Sequence, residues 1–144
     1  MLVQQILRNK SDDGVVTVAP DASVAEASKT LAVRRIGALV VSPDGKKVLG
    51  ILSERDVVRA IGNHGPGCLA DRVDTLMTSK IVSATREETV QSVLAKMTEG
   101  RFRHMPVMEG DVMVGLISIG DVVKAQLAEL AMEKEALEGM IKGF

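Results

Sequence analysis

The sequence predicts an α/β protein, more narrowly α+β. Two β-α-β-β-α repeats form one pseudo-symmetric module that ends in an extended C-terminal helix. Three observations lead there. The chain matches itself: Val16-Thr17-Val18 recurs as Val82-Ser83-Ala84, Ser23-Val24 as Thr89-Val90, and Ile36 to Val41 as Phe102 to Val107, all displaced by sixty-six residues. The heptapeptide GILSERD at 50–56 recurs as GLISIGD at 115–121, displaced by sixty-five, so one residue is missing from the second hairpin turn. Within each copy the apolar spacing switches between strand and helix periods in the same order.

Each repeat opens with a lead-in, Val3 to Lys10 (VQQILRNK) in the first copy and Val73 to Lys80 (VDTLMTSK) in the second. A short β-branched run follows, Val15 to Val18 and Ile81 to Ser83. A helix comes next, signalled in the first copy by Pro20-Asp21 and by Ser23 with Glu26 three residues on, a capping box. Val24, Ala27, Leu31 and Ala32 share one stripe of it, as do Val90, Val93, Leu94 and Met97 in the second copy. Two apolar runs then surround a turn. Ala38 to Val41 and Val48 to Leu52 flank PDGK, and Met105 to Met108 and Val112 to Ile117 flank EGD, both hairpin signals. A second helix starts at Glu54 and at Ile119. The glycine-rich GNHGPG at 62–67 reads as a flexible connector. Residues 1–66 therefore hold the first repeat with its lead-in helix, and residues 67–144 the second with its lead-in and long C-terminal helix.

Composition narrows the function. A chain of 144 residues is about one ordinary domain and buries a core without a metal or disulfide staple. Its net charge of -1 supplies no field to gather nucleic acid or an anionic membrane surface, so neither is an expected partner. The single cysteine, Cys68, forms no internal bridge, and the N-terminus shows neither a signal peptide nor a long apolar span, which points to the cytoplasm. With two Phe and no Trp or Tyr, the chain must grip any ligand with aliphatic walls, backbone groups and charges. Zinc-type Cys/His spacing, G-x-S-x-G and the P-loop pattern are missing, and nothing places a base beside Cys68. Neither catalytic nor metal-binding residues are expected.

The doubled β-α-β-β-α order, the strands RIGALVV and RFRHMPV, and the two G-h-h-S-x-x-D segments resemble a tandem pair of cystathionine-β-synthase (CBS) domains, a Bateman module, from about Val3 to Leu127. The resemblance implies that the repeats pack through their sheets and leave two clefts for adenosine-containing ligands such as AMP, ADP, ATP, S-adenosylmethionine or NAD(H). It implies a regulatory module that acts on another protein, and a flat homodimer. By residue, it implies that Ile36, Gly37 and Ala38, and Phe102, Arg103 and His104, line the adenine pockets, with Thr17 and Ser83 as polar positions on the first strands. Ile36, Ala38 and Phe102 are equally readable as core, and Arg103 with His104 as a solvated pair.

The repeated heptapeptide has a physical reading of its own. If Ser53 ends a strand and caps a helix, its hydroxyl and the amides of Glu54, Arg55 and Asp56 face outward at the positive helix end, a seat for phosphate. Asp56 would lie beside it, and a carboxylate can accept both hydrogen bonds of a ribose diol. Ser118 and Asp121 repeat the pattern, and Gly50 and Gly115 suit close approach of backbone. The family pattern assigns these Asp residues to ribose and the Ser to ribose or phosphate. S-x-x-D is also a capping box that needs no ligand, and one side chain can do both.

The two sites are unequal. Arg55 in the first heptapeptide is matched by Gly120 in the second, which has Arg101, Arg103 and His104 instead. Cations at both favour a phosphorylated ligand, an adenine nucleotide with AMP first and ATP or NAD(H) as alternatives. The last helix outruns its counterpart, with Val123, Leu127, Leu130, Leu137, Ile141 and Phe144 in three-four spacing interrupted by Lys134. Such a stripe suits a homodimer, or a helix folded back over its own sheets. The reading is thus a nucleotide-sensing module that signals to an unknown protein, with a ligand-independent homodimerisation module as the alternative.

Overall fold

The computed structural model describes residues 1–10 and 14–142. In chain order the elements are α1 (Val3–Asn9), β1 (Thr17–Val18), α2 (Val24–Arg34), β2 (Ala38–Val41), β3 (Gly50–Ser53), α3 (Glu54–His64), a 3-10 turn (Pro66–Ala70), α4 (Val73–Leu76), α5 (Val90–Gly100), β4 (His104–Glu109), β5 (Val112–Ser118) and α6 (Ile119–Ile141). The expected α/β architecture with its long last helix is present, and the two repeats follow the same order of elements except that no counterpart of β1 precedes α5 among the described residues.

In the first repeat β1 runs parallel to β2, and β2 pairs antiparallel with β3, with Leu39 opposite Leu52. Every residue of β2 is buried, so this strand has two covered faces. Leu39 and Val41 point to a core shared with Val24, Ala27 and Leu31 of α2 and Val57 of α3. Ala38 and Val40 are buried on the opposite face. Continuous apolar burial of this kind marks a sheet sandwiched between layers. The second repeat builds the matching core from Val90, Val93 and Met97 of α5, Met105 and Val107 of β4, Ile117 of β5 and Val122 of α6.

The second sheet has only two strands, β4 and β5. The strand expected over Ile81 to Ser83 is reduced to one parallel bridge between Ala84 and Val107. Proline explains the loss. In the first repeat the amides of Val40 and Ser42 donate to the carbonyls of Val16 (3.2 Å) and Val18 (2.9 Å). Sixty-six residues on, Val40 is replaced by Pro106, which has no N–H to give. What survives is Ala84 N–H to the Pro106 carbonyl (3.0 Å) and Met108 N–H to the Ala84 carbonyl (2.8 Å).

Two further expectations change. GNHGPG is not a loose connector: its first three residues close α3, and Pro66-Gly67 open the 3-10 turn that buries Cys68. Of the Ser23–Glu26 capping box only one half forms, the Glu26 amide donating to Ser23 Oγ at 3.1 Å. Ser23 instead pairs with Arg72 in an antiparallel bridge.

That bridge is half of an exchange between the repeats. The lead-in to the second repeat packs on the first: Val73 joins the core of α2 and β2, and Thr78 pairs with Ile51 at the open edge of β3. The lead-in to the first repeat packs on the second: Val3 and Ile6 of α1 enter the core of α5 and β4, and Leu2 bridges Thr89. The two heptapeptide glycines follow from this exchange. A Cβ on Gly50 would lie 2.5 Å from Met77 Sδ and 2.9 Å from the Thr78 carbonyl oxygen, and one on Gly115 would lie 2.6 Å from Leu7 Cδ2. Both glycines admit the opposite repeat's lead-in.

The nature of those neighbours separates the two glycines. Gly50→Ala pushes on backbone and is expected to cost about 1–3 kcal/mol, whereas Gly115→Ala meets only the end of a leucine that can rotate and should cost less. Denaturant unfolding of both variants measures the difference. Equal losses would contradict the exchanged packing.

Candidate functional site

The strand-to-helix junctions are built alike. In the first, Ser53 Oγ accepts from the Asp56 amide (3.1 Å) and Asp56 Oδ2 accepts from the Ser53 amide (2.9 Å). In the second, Ser118 Oγ accepts from the Asp121 amide (3.1 Å) and Asp121 Oδ2 from the Ser118 amide (2.9 Å). Both are complete capping boxes. The expected fan of free amides is smaller than the sequence suggested. The Glu54 amide donates to the Gly37 carbonyl and the Ile119 amide to the Arg103 carbonyl, at 2.9 and 2.8 Å. At the second junction the cap takes Asp121 and the strand takes Ile119, which leaves the Gly120 amide engaged by neither.

The junctions differ in what else reaches the aspartate. Asp56 Oδ2 takes the Ser53 hydroxyl as a second donor (3.0 Å). Asp121 Oδ2 takes the ammonium of Lys10 (2.8 Å), which also donates to the Leu116 carbonyl (2.7 Å). Lys10 arrives from α1, across the exchange described above.

A cavity of about 700 Å³ opens at this second junction. It draws on both repeats: Ile36, Gly37 and Ala38 come from the first, and His104, Ser118 and Asp121 from the second. The sequence grouped Ile36 to Ala38 with Ser53 and Asp56 of their own repeat. Backbone pairing does keep Ala38 opposite Ser53, but the cavity that Ile36 to Ala38 line takes its serine and aspartate from the other repeat, where Gly37 lies against His104. A Cβ on Gly37 would come 3.4 Å from the His104 ring. Ser53, Arg55 and Asp56 lie outside this cavity, as do Thr17, Ser83, Phe102 and Arg103. Arg55, Thr17, Ser83 and Arg103 are exposed, and Phe102 packs against the core of the second repeat.

The remaining walls went unseen in the sequence. Val15, Val16, Val114 and Leu116 supply apolar surface, and Arg8, Lys10 and Arg35 supply charge. Arg35 had one legible signal, its repetition as Arg101 before the same strand. Both arginines cap their helices in the left-handed region, at φ 54° and 56°, where glycine is the usual occupant. Lys10 had a counterpart too, Lys80, but no local pattern says that its side chain reaches Asp121. Among the described residues no three His, Cys, Asp or Glu side chains come together to hold a metal ion.

Two groups titrate unusually. Burial pushes the His104 imidazole below its ordinary value; Asp121 and Glu54 pull it back up, and Lys10 and Arg103 add to the depression. Burial also raises the Asp121 carboxyl, but the Lys10 hydrogen bond, the Ser118 amide and the Lys10 charge outweigh it and hold the group below the usual carboxylate value. At neutral pH the cavity therefore carries a neutral imidazole and an ionised aspartate.

Comparison with known proteins gives a consistent picture. The sequence profile described as CBS domain matches residues 5–63 and again 73–128. The mitochondrial CBS domain-containing protein CBSX3 of Arabidopsis thaliana is 36% identical over 141 residues, 94% of this chain and 68% of the relative. The crystal structure of a CBS-domain-containing protein from Agrobacterium tumefaciens superposes with a TM-score of 0.82 at 44% identity, covering 88% of this chain and 99% of that one. A CBS domain protein of Pyrobaculum aerophilum, solved in complex with AMP, shares the fold at a TM-score of 0.77 and 24% identity, covering 92% of this chain and 99% of that one.

The depressed histidine has a consequence for stability. Below about 6.5, the ordinary value, the unfolded chain binds a proton that folded His104 refuses, so stability falls as pH drops through that region toward the lower folded value. Thermal midpoints measured from about pH 7.5 to about pH 5.5 should decline less in His104→Asn than in the unaltered chain. Parallel declines would show that the imidazole is not held in its neutral form.

Proposed function

The chain belongs to the CBS-domain family as a tandem pair of its domains, and from that premise we propose that it is a regulatory, non-catalytic module that binds an adenine nucleotide and signals its presence to another protein. The observation that carries the reading is the convergence of Gly37-Ala38, His104 and the Ser118–Asp121 junction on one cavity of about 700 Å³, inside the roughly 300–1,000 Å³ range of small-molecule sites. The ribose lies at the junction, where Asp121 Oδ2 accepts from the Ser118 amide and Lys10, so a diol that takes both carboxylate oxygens shares Oδ2 with Lys10. Adenine lies against Ile36, Ala38 and Val16, an aliphatic slot in a chain poor in aromatic rings. The ligand class is AMP, ADP, ATP or NAD(H), with AMP first.

The Ser53–Asp56 junction, with Arg55 exposed beside it, is a second and unequal ribose and phosphate position. By the repeat symmetry that sets Ile36 to Ala38 in a cavity with Asp121, Ser83, Phe102 and Arg103 are assigned to this second position, and Thr17 stays with Val16 beside the first. The module's compartment is the cytoplasm, where the buried thiol of Cys68 stays reduced. Among the described residues no helix is long and apolar enough to cross a membrane.

One observation favours self-association as well. Val123, Leu127, Leu130, Leu137 and Ile141 of α6 are all exposed, Leu127 at 62%, and lie on a single stripe away from Val122 and Ala125, which are buried. We take this stripe to join two copies. Phe144, the last residue of the expected stripe, lies outside the described residues.

Ligand binding is tested by calorimetry with AMP. Asp121→Asn keeps a capping side chain but loses a charged acceptor, and should weaken AMP by about 1.5–3 kcal/mol at the cavity, while Asp56→Asn leaves that site nearly unchanged. A ligand at a hundred times its Kd raises stability by about 2.7 kcal/mol, so a thermal-shift series with AMP, ATP and NADH that moves nothing would overturn the nucleotide reading and leave the self-association module. Self-association has its own check. Leu127→Glu with Leu130→Glu should convert a dimer to monomer in light scattering, and a dimer that persists would place the contact on the repeats themselves.

A further inference from the structure

We propose that Lys10 is a specificity-determining residue that makes the cavity select phosphorylated adenosine ligands over unphosphorylated ones; the inference rests on the nucleotide reading above. Its starting point is a difference between pseudo-equivalent edges. At Ile51 the open edge of β3 is closed by backbone, with Thr78 N–H donating to the Ile51 carbonyl at 2.9 Å and the Ile51 amide donating back at 3.0 Å. At Leu116, the matching residue of β5, the carbonyl accepts from the Lys10 ammonium at 2.7 Å. A pair of backbone hydrogen bonds has been replaced by the end of a long, rotatable and charged side chain.

The same ammonium holds Asp121 Oδ2 at 2.8 Å, on the carboxylate assigned to ribose. Two of its three N–H groups are thereby used. The pair is not sealed in: the Lys10 side chain is 38% exposed and that of Asp121 26%, so solvent and a ligand can reach the ammonium while the aspartate stays in its cap. Any ligand whose hydroxyls approach Asp121 must share it with, or take it from, a cation.

What the ligand offers in return decides the outcome. An unphosphorylated adenosine has no anion to give the displaced ammonium, so the charge pair is weakened without replacement. A phosphate beside the ribose supplies a new partner, and it enters a cavity whose described lining carries the cations of Arg8, Lys10 and Arg35 and the carboxylate of Asp121, with that of Glu54 close to Gly37 and His104. Lys10 therefore acts with opposite sign on the two ligand classes: it competes with adenosine and recruits the nucleotide. A sulfonium ligand, which brings a positive charge of its own, is disfavoured further.

Calorimetry with adenosine, S-adenosylmethionine, AMP and ATP tests this on the full chain and on Lys10→Met and Lys10→Arg, with thermal midpoints confirming that each variant is folded. Lys10→Met should weaken AMP and ATP about tenfold or more, leave adenosine unchanged or tighter, and so reduce the AMP-to-adenosine preference by at least about tenfold, the scale of one charged hydrogen bond. Lys10→Arg should restore most of that preference. A preference that stays the same in Lys10→Met, or parallel losses for all four ligands, would overturn the assignment while leaving the nucleotide site standing. If the unaltered chain binds none of the four, the site itself falls and this inference with it.

Discussion

Each small sheet has two faces to bury and only its own helices on one of them, and the rest of the molecule follows from that constraint. β2 is buried along its whole length, with Leu39 and Val41 covered by α2 and α3 and Ala38 and Val40 covered from the other side. A single repeat has nothing to put there. The second repeat meets the first at Gly37 and His104, and the lead-ins bind the two together: Val73 in one core, Val3 and Ile6 in the other. Duplication is thus a packing solution before it is a way of making sites. The cavity lies where this packing cannot close, around the contact of Gly37 with His104.

Departures from symmetry are concentrated at a few residues and have specific causes. Pro106 cannot donate where Val40 does, so the second sheet loses its first strand except for one bridge at Ala84. Lys10 takes the edge that Thr78 closes with backbone in the other half. Gly120 stands where Arg55 stands, which leaves one helix start with a cation and the other with bare backbone. The cavity at the second junction collects its charge from elsewhere, from α1 and from the strained turn at Arg35.

Helix α6 joins the cavity to the exposed apolar stripe. It begins at the Ser118–Asp121 cap inside the cavity and ends in an exposed apolar stripe. Helix α1 is fastened to it at both ends, by Lys10 to Asp121 and by the terminal ammonium of Met1 to Glu129 at 2.6 Å. A group that moves Lys10 therefore acts on a segment pinned to the same helix that exposes this stripe.

The sequence by itself determined the repeat, the order of elements, the family resemblance and the capped junctions, because each is written locally. A displacement of sixty-six residues, a strand period of two or a helix period of about 3.6 residues, and Ser with Asp three places on need no knowledge of what packs where. It also misread features whose causes were still local, such as the strand that Pro106 removes. What only the tertiary structure decided is which halves make a site. Ile36 to Ala38 line a cavity with Asp121, the heptapeptide glycines make room for Met77 and Leu7, and Lys10 meets an aspartate 111 positions away. These pairings arise because each lead-in crosses to the other repeat, and the crossing is selected by the total apolar surface it buries, a quantity spread over both cores and encoded in no single stretch of the chain.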